Sequence, residues 1–213
     1  MTIECDFNFT RDDFSLTFKK TLSGSDITTI TGKSGSGKTT LLRLMLGLEK
    51  AKAATFIVND TIYQQDKLFV KTEERRIGYV GQDTSLLPFF NIKNNLAFAK
   101  KRANRSYYHA PKIEELLMIF DVADCVEKYP KQLSSGQKQR LCIIQSIISC
   151  PELFLFDEAF SVIDEARKQT ILNYLIDYFS KRQLPVIYVT HDCQELKTIQ
   201  ETMTEVVQNS LRI

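Results

Sequence analysis

Paired cysteines are missing from this sequence. Its five cysteines, Cys5, Cys125, Cys142, Cys150 and Cys193, are odd in number and scattered, with no CxxC spacing. That pattern gives neither a disulfide framework nor a zinc site, and reduced thiols in a cytosolic compartment fit it best. Long apolar runs are missing too: no stretch approaches the roughly 20 residues that a bilayer-spanning helix needs. Met1 to Phe9 alternates polar and apolar residues and lacks the apolar core of a signal peptide. Charge of one sign is scarce, since 28 Lys and Arg stand against 26 Asp and Glu for a net +2. Such a balance offers no global field for nucleic acid. The local basic run Lys100, Lys101, Arg102 and Arg105 reads as a solvated loop before it reads as a polyanion site. Internal repeats and low-complexity tracts are absent.

What remains is ordinary globular material: 213 residues, 43% hydrophobic and 25% charged, sized for one α/β domain with its own core. Apolar residues alternate at Ile3, Cys5, Phe7 and Phe9, and again at Phe14, Leu16 and Phe18, the period of half-buried antiparallel strands. Ile27 to Thr31 is a β-branched run that stops at Gly32, and Leu41, Leu42, Met45 and Leu46 then follow helical spacing. Ile77 to Val80 is a further strand, and Ile92 to Tyr129 turns helical. A helix is expected from Gly136 to Ser149, closed by Pro151. Leu153 to Phe156 is continuously apolar, as suits a strand covered on both faces. A helix near Ala166 to Phe179, a strand at Val186 to Val189 and a short tail of strands complete the expectation. Strand–helix alternation predicts a mainly parallel sheet. An N-terminal antiparallel β subdomain precedes it, and a helical subdomain of about residues 85–145 is inserted within the single domain 1–213.

Chemistry enters at Gly32, Lys33, Ser34, Gly35, Ser36, Gly37, Lys38 and Thr39, two glycines flanking four residues and then Lys and Thr. Glycines let successive backbone N–H groups turn inward around phosphate oxygens, and the following helix, with Thr40, offers its positive end. Lys38 can reach the β- and γ-phosphates, and the Thr39 hydroxyl can hold Mg²⁺. A chance match over about 200 positions is expected well under ~1% of the time. Downstream, Asp157 and Glu158 end the buried strand, where an open α/β sheet places ligands. Asp157 can join the Mg²⁺ shell and Glu158 can polarise an attacking water. The bland alternative for this pair alone is a solvated acidic turn.

Leu133-Ser134-Ser135-Gly136-Gln137 resembles the LSGGQ signature of ATP-binding-cassette (ABC) proteins, with Ser135 where the first glycine usually stands. Gln82 follows a strand as the family's Q-loop glutamine does, and His191 in Val189-Thr190-His191-Asp192 is similar to its switch histidine. Ser161-Val162-Ile163-Asp164 resembles the D-loop. The motifs occur in the family's order along essentially the whole chain. This resemblance implies a P-loop NTPase that binds and hydrolyses ATP with Mg²⁺. It also implies a head-to-tail dimer with a second copy or a paralogous ATPase subunit.

Each ATP would then lie between one phosphate loop and the partner's Ser134, Ser135, Gly136 and Gln137. Glu158, His191 and Gln82 would be catalytic, Thr39, Gln82 and Asp157 would hold the metal, and Asp164 would sit in the D-loop. The family also carries an aromatic face for adenine some two dozen residues before the phosphate loop. Phe9 has that spacing, Phe14 is its competitor, and either could instead be core. Ser135, Ala159 in place of a usual proline, and Val162-Ile163 in place of a small pair depart from the pattern. These departures bear on turnover more than on ATP binding.

The implied role is the motor of a transporter, cytoplasmic and peripheral on the inner face of the cell membrane. With no apolar span, another subunit, a transmembrane permease, must supply the path; nucleic acid is not an expected partner. The alternative is a soluble ABC ATPase without a permease. Chromosome-maintenance relatives carry a coiled coil between the nucleotide motifs, whereas no heptads separate Gly37 from Leu133 here. Translation factors carry two cassettes, and a kinase or GTPase would not explain the signature or His191. Thr72 to Val80 and Leu87-Pro88-Phe89-Phe90-Asn91-Ile92 resemble importer ATPases, notably the molybdate type. For Phe89 and Phe90 two readings stay open: a socket for the permease, or packing into the helical subdomain.

Overall fold

A computed structural model describes residues 1–33, 35–83, 85–103 and 111–202, with side chains in the last helix described as far as residue 199. Ser34, Arg105 and the tail beyond residue 202 lie outside the described residues. The chain opens with β1 (Thr2–Arg11) and β2 (Phe14–Ser23), an antiparallel pair in which Ile3 faces Leu22, Phe7 faces Phe18 and Phe9 faces Leu16. These six side chains are buried, so the period-2 alternation translates directly into one apolar face.

Next come β3 (Ile27–Ile30), α1 (Lys38–Leu46), and the strands β4 (Ala53–Val58), β5 (Thr61–Gln65) and β6 (Leu68–Phe69). The antiparallel sheet runs in the order β2-β1-β4-β5-β6. Its β4–β5 hairpin turns at Asn59, whose φ of 53° lies in the left-handed region that Asn tolerates. Arg75 lies behind this sheet. Its guanidinium donates to the Leu44 and Met45 carbonyls at the end of α1 and to the Val70 carbonyl. Aromatic rings of Phe69, Tyr63 and Phe56 flank it. Gly47 ends α1 at φ 76°, and a Cβ there would stand 2.7 Å from the guanidinium. Glycine is therefore required twice over at that position.

After β7 (Ile77–Val80) come the helices α2 (Ile92–Arg102), α3 (Ile113–Ile119) and α4 (Ser135–Ile148), with α2 and α3 both packed on α4. The chain then returns through β8 (Leu153–Asp157), α5 (Glu165–Arg182), β9 (Val186–Val189) and α6 (Cys193–Thr202). The second sheet is wholly parallel, in the order β3-β9-β8-β7. It divides the interior into two cores by alternate residues. Phe154, Phe156, Val186 and Tyr188 join α4 and α5 on one face, while Leu153, Leu155, Ile187 and Val189 join α1 and the antiparallel sheet on the other. Phe154 and Phe156 lie within 6.3 Å of Phe179 and of each other, and burying each such ring stabilises by about 2–3 kcal/mol.

Helix boundaries follow their caps. Ser134 and Gln137 form a reciprocal capping box that starts α4 at Ser135, one residue before the sequence expectation. Asp164 accepts from the Arg167 N–H and starts α5. The expected tail of strands is corrected over 193–202, where α6 stands instead. Asp192 accepts from the Gln194 and Glu195 N–H groups, which starts a helix, and Ile199 anchors it in the core.

Candidate functional site

Because β3, β9, β8 and β7 are parallel, their carboxyl ends share one edge of the sheet. That edge gathers four loops distant in sequence: Gly32 to Gly37 after β3, Gln82 after β7, Glu158 after β8 and His191 after β9. An open α/β sheet places its ligands at this edge.

The loop after β3 closes on glycines in left-handed conformations, Gly35 at φ 78° and Gly37 at φ 95°. Gly37 is also sterically committed, since a Cβ there would lie 2.9 Å from Phe14 Cζ. Lys38, 8% exposed, folds back so that its ammonium donates to the Gly32 and Lys33 carbonyls at 2.8 and 2.9 Å. Ser36 Oγ is buried with no hydrogen-bond partner among the described residues. Lys38, Thr39 and Thr40 form the first turn of α1, which contains no acidic residue, so its N–H groups and positive dipole end present an anion-attracting surface.

Asp157 is buried at the end of β8, hydrogen-bonded by Thr39 and Tyr79. Burial pushes its carboxyl above the ordinary range, opposed by the Thr39 hydrogen bond and by the Lys38 charge. Burial beside Asp157 also pushes the Tyr79 hydroxyl up to about 12.

Glu158, the first residue past β8, has φ 52°, a left-handed conformation that costs a non-glycine residue about 1–3 kcal/mol. Its N–H donates to the Val189 carbonyl, which ties the strained residue to β9. The side chain then meets two predicted partners: Gln82 Nε2 donates to Oε2 at 2.5 Å, and His191 Nδ1 stands 3.0 Å from Oε1. A carboxylate so placed can orient a water molecule and accept its proton. Thr39 with Asp157, and Glu158 with Gln82 and His191, are thus brought together.

The signature residues form a second group. Ser134, Ser135, Gly136 and Gln137 sit at the start of α4, and a Cβ on Gly136 would stand 3.0 Å from the Val162 carbonyl. Asp164, at the start of α5, pairs with Arg167, which also binds Asp121. Two further polar residues of α4 anchor its start to neighbouring loops. Gln139, one turn into α4 and 1% exposed, donates to the Gly81 carbonyl beside Gln82. Buried Arg140 donates to the Phe120 and Asp121 carbonyls. Ser135, Gln137, Lys138, Gln145 and Ser146 of α4 are polar as well, so nothing in the sequence singles these two out.

The structure corrects Phe9. Its ring is 6% exposed on the inner face of β1, in phase with Ile3, Cys5 and Phe7, and leaves no free face for a base. Phe14 is half-buried, with its ring tip against Gly37.

Four parallel strands whose carboxyl ends share one edge with a phosphate-type loop define an open α/β fold with its candidate site at that edge. The sequence model of the ABC transporter family matches residues 15–161, and the chain belongs to that family. It is 37% identical over 183 residues to a molybdenum import ATP-binding protein, ModC, of Saccharophagus degradans, covering 86% of this chain and 50% of that protein. The ModC of Pseudomonas savastanoi is 38% identical over 198 residues, with 91% and 54% covered. The chain therefore spans about half the length of the curated relatives it matches.

Among solved structures, the fold resembles the ATP-binding cassette MJ0796, a dimeric post-hydrolysis state bound to ADP and Pi. The TM-score is 0.73 at 23% identity, with 93% of this chain and 91% of that one covered. It also resembles an ATP-bound bacterial Atm1-family ABC exporter, with a TM-score of 0.69 at 24% identity and 92% and 35% covered.

Proposed function

We propose that this chain is the ATP-binding and ATP-hydrolysing subunit of a transporter, acting in import beside a separate membrane permease. The observation that carries the reading is the junction at Glu158, where one carboxylate meets both Gln82 and His191 next to the phosphate-type loop. Lys38 would exchange its two carbonyl partners for phosphate oxygens, Ser36 would find the acceptor its hydroxyl lacks among the described residues, and α1 would direct its positive end at the same charge. Phe14 offers the half-exposed ring on which a base can stack.

The oxygen donors Thr39, Asp157 and Gln82 suit Mg²⁺, a hard cation. Among the described residues no group of three or more His, Cys, Asp or Glu forms a metal cage, so such an ion would take its remaining ligands from phosphate and water. When bound, it would neutralise charge on the phosphates. Glu158 would orient the attacking water and take its proton. His191, 70% exposed on its side chain, would reach the terminal phosphate.

The signature residues belong to the neighbouring subunit's site in this reading. Ser134 and the N–H groups at the start of α4 would close on the terminal phosphate bound by a second copy, or by a paralogous ATPase subunit, in a head-to-tail dimer. Loss of that phosphate then weakens the contact and opens the pair. Support for import comes from the ModC relatives; among the described residues no helix is long and apolar enough to cross a membrane, and in this reading a permease subunit would supply the solute path.

The test is binding of a fluorescent ATP analogue and phosphate release by the purified chain. Lys38→Ala is expected to abolish the binding, and a variant that binds as wild type does would overturn the assignment of the loop. Co-purification of a permease encoded beside the chain would test the transport half.

A further inference from the structure

Among the described residues His191 makes one side-chain hydrogen bond, to Glu158, and is otherwise exposed, so packing does not hold it in place. Its two neighbours hold it instead. Thr190 Oγ1 donates to Glu195 Oε2 at 2.7 Å and accepts from the Asp192 N–H at 3.0 Å. Glu195 is 4% exposed, and the same Oε2 accepts from Tyr188 at 2.7 Å. On the other side of His191, Asp192 starts α6 through the Gln194 and Glu195 N–H groups.

Both anchors converge on one cation from a different helix. Lys168 Nζ lies 2.9 Å from Asp192 Oδ2, 3.4 Å from Glu195 Oε1 and 3.3 Å from Glu165 Oε2. Lys168 stands on the first turns of α5, the helix that Asp164 caps. A buried ammonium among three carboxylates fixes the spacing between their elements, and removing it leaves Glu195 as a buried charge without a cation. We infer that Lys168 is a positioning residue for His191: it locks the turn that carries the histidine to the helix that starts at Asp164, so that the distance from His191 to Glu158 depends on where α5 stands. The inference rests on the ATPase reading, though its geometry does not.

Lys168→Met is expected to lower kcat for ATP about tenfold through misplacement of His191, with KM changed by less than about twofold. Lys168→Arg, which keeps the cation, restores most of the loss. Glu152→Gln is the matched control. Glu152 is an equally buried carboxylate bound by Arg76, Thr61 and Tyr63. Its loss should lower melting temperature and leave kcat near wild type.

Ring signals of His191 in ¹H–¹³C spectra should shift in Lys168→Met while those of the other histidine, His109, stay in place. Should Lys168→Met fail to fold, the isosteric Glu195→Gln takes its place with the same expectations at smaller size. Unmoved His191 signals, or an equal loss of kcat in Glu152→Gln, would overturn the inference. A wild-type chain without ATPase activity would sink the proposed function instead, and the His191 signals alone would then decide.

Discussion

Glu158 Oε1 lies 3.0 Å from His191 Nδ1 although the two residues follow different strands of the sheet. The contact exists because β8 and β9 run parallel in a register that sets Asp157 opposite Val189, and because the Glu158 N–H is bound to the Val189 carbonyl. Glu158→Gln keeps the shape of this junction and removes the base. Hydrolysis is expected to fall by about 10² or more while ATP binding persists. The variant should accumulate as an ATP-bound dimer, measured by light scattering after size exclusion; normal phosphate release would remove Glu158 from its role.

The two candidate adenine rings separate by burial. Phe14→Ala is expected to weaken ATP binding several-fold with little change in melting temperature, because the ring is half-buried at Gly37. Phe9→Ala should instead cost about 3 kcal/mol of stability, the scale of a deleted core aromatic. Its ATP affinity should stay close to wild type. Isothermal titration beside urea unfolding reads both quantities, and the opposite pattern would return the base to Phe9.

Local chemistry made much of this legible. The phosphate-type loop is written in contiguous residues with fixed conformational demands, and Leu153 to Phe156 announces a strand buried on both faces. Phe9 shows the cost of counting along the chain alone: its spacing matched a family position, yet the alternation Ile3, Cys5, Phe7, Phe9 already put it on the core face. The β4–β5 hairpin went unread although Asn59-Asp60 is a turn signal between two β-rich runs. The helix at 193–202 was also missed, though Asp192 and Glu195 have capping spacing. Gln139, Arg140 and Lys168 could not be placed from sequence, because their partners lie on other elements and only the packed topology brings them within reach.

Arg75 offers a test of how the loop's helix is supported. Its guanidinium occupies the carboxyl end of α1, and burial lowers its pKa to about 10. Arg75→Met would fill much of the same volume but leave the Leu44 and Met45 carbonyls without their donor. We expect a loss of about 3 kcal/mol in urea unfolding, the scale of buried acceptors deprived of a charged partner. A loss under about 0.5 kcal/mol, as at an ordinary surface position, would show that water replaces the donor.

The loop after Gln82 carries the last prediction. Phe89 is 68% exposed, and its ring meets Phe90 edge-on at 4.9 Å, with Phe98, also exposed, 6.4 Å beyond Phe90. The reading in which both phenylalanines pack inward therefore fails for Phe89. Exposure here does not mean a loose loop. Asn95, fully buried, donates to the Leu87, Phe90 and Asn91 carbonyls and accepts from the Leu87 N–H. An apolar cluster held out between so well-tied a loop and α2 suits a protein partner, and the proposed permease is the partner to test. Phe89→Ala should leave melting temperature and basal ATPase near wild type and reduce co-purification with the permease. Asn95→Ala removes the tie itself, leaving several backbone groups unpaired, and should lower both stability and assembly. If Phe89→Ala lost stability as Asn95→Ala does, the ring would be structural; if it assembled normally, the permease would contact another face.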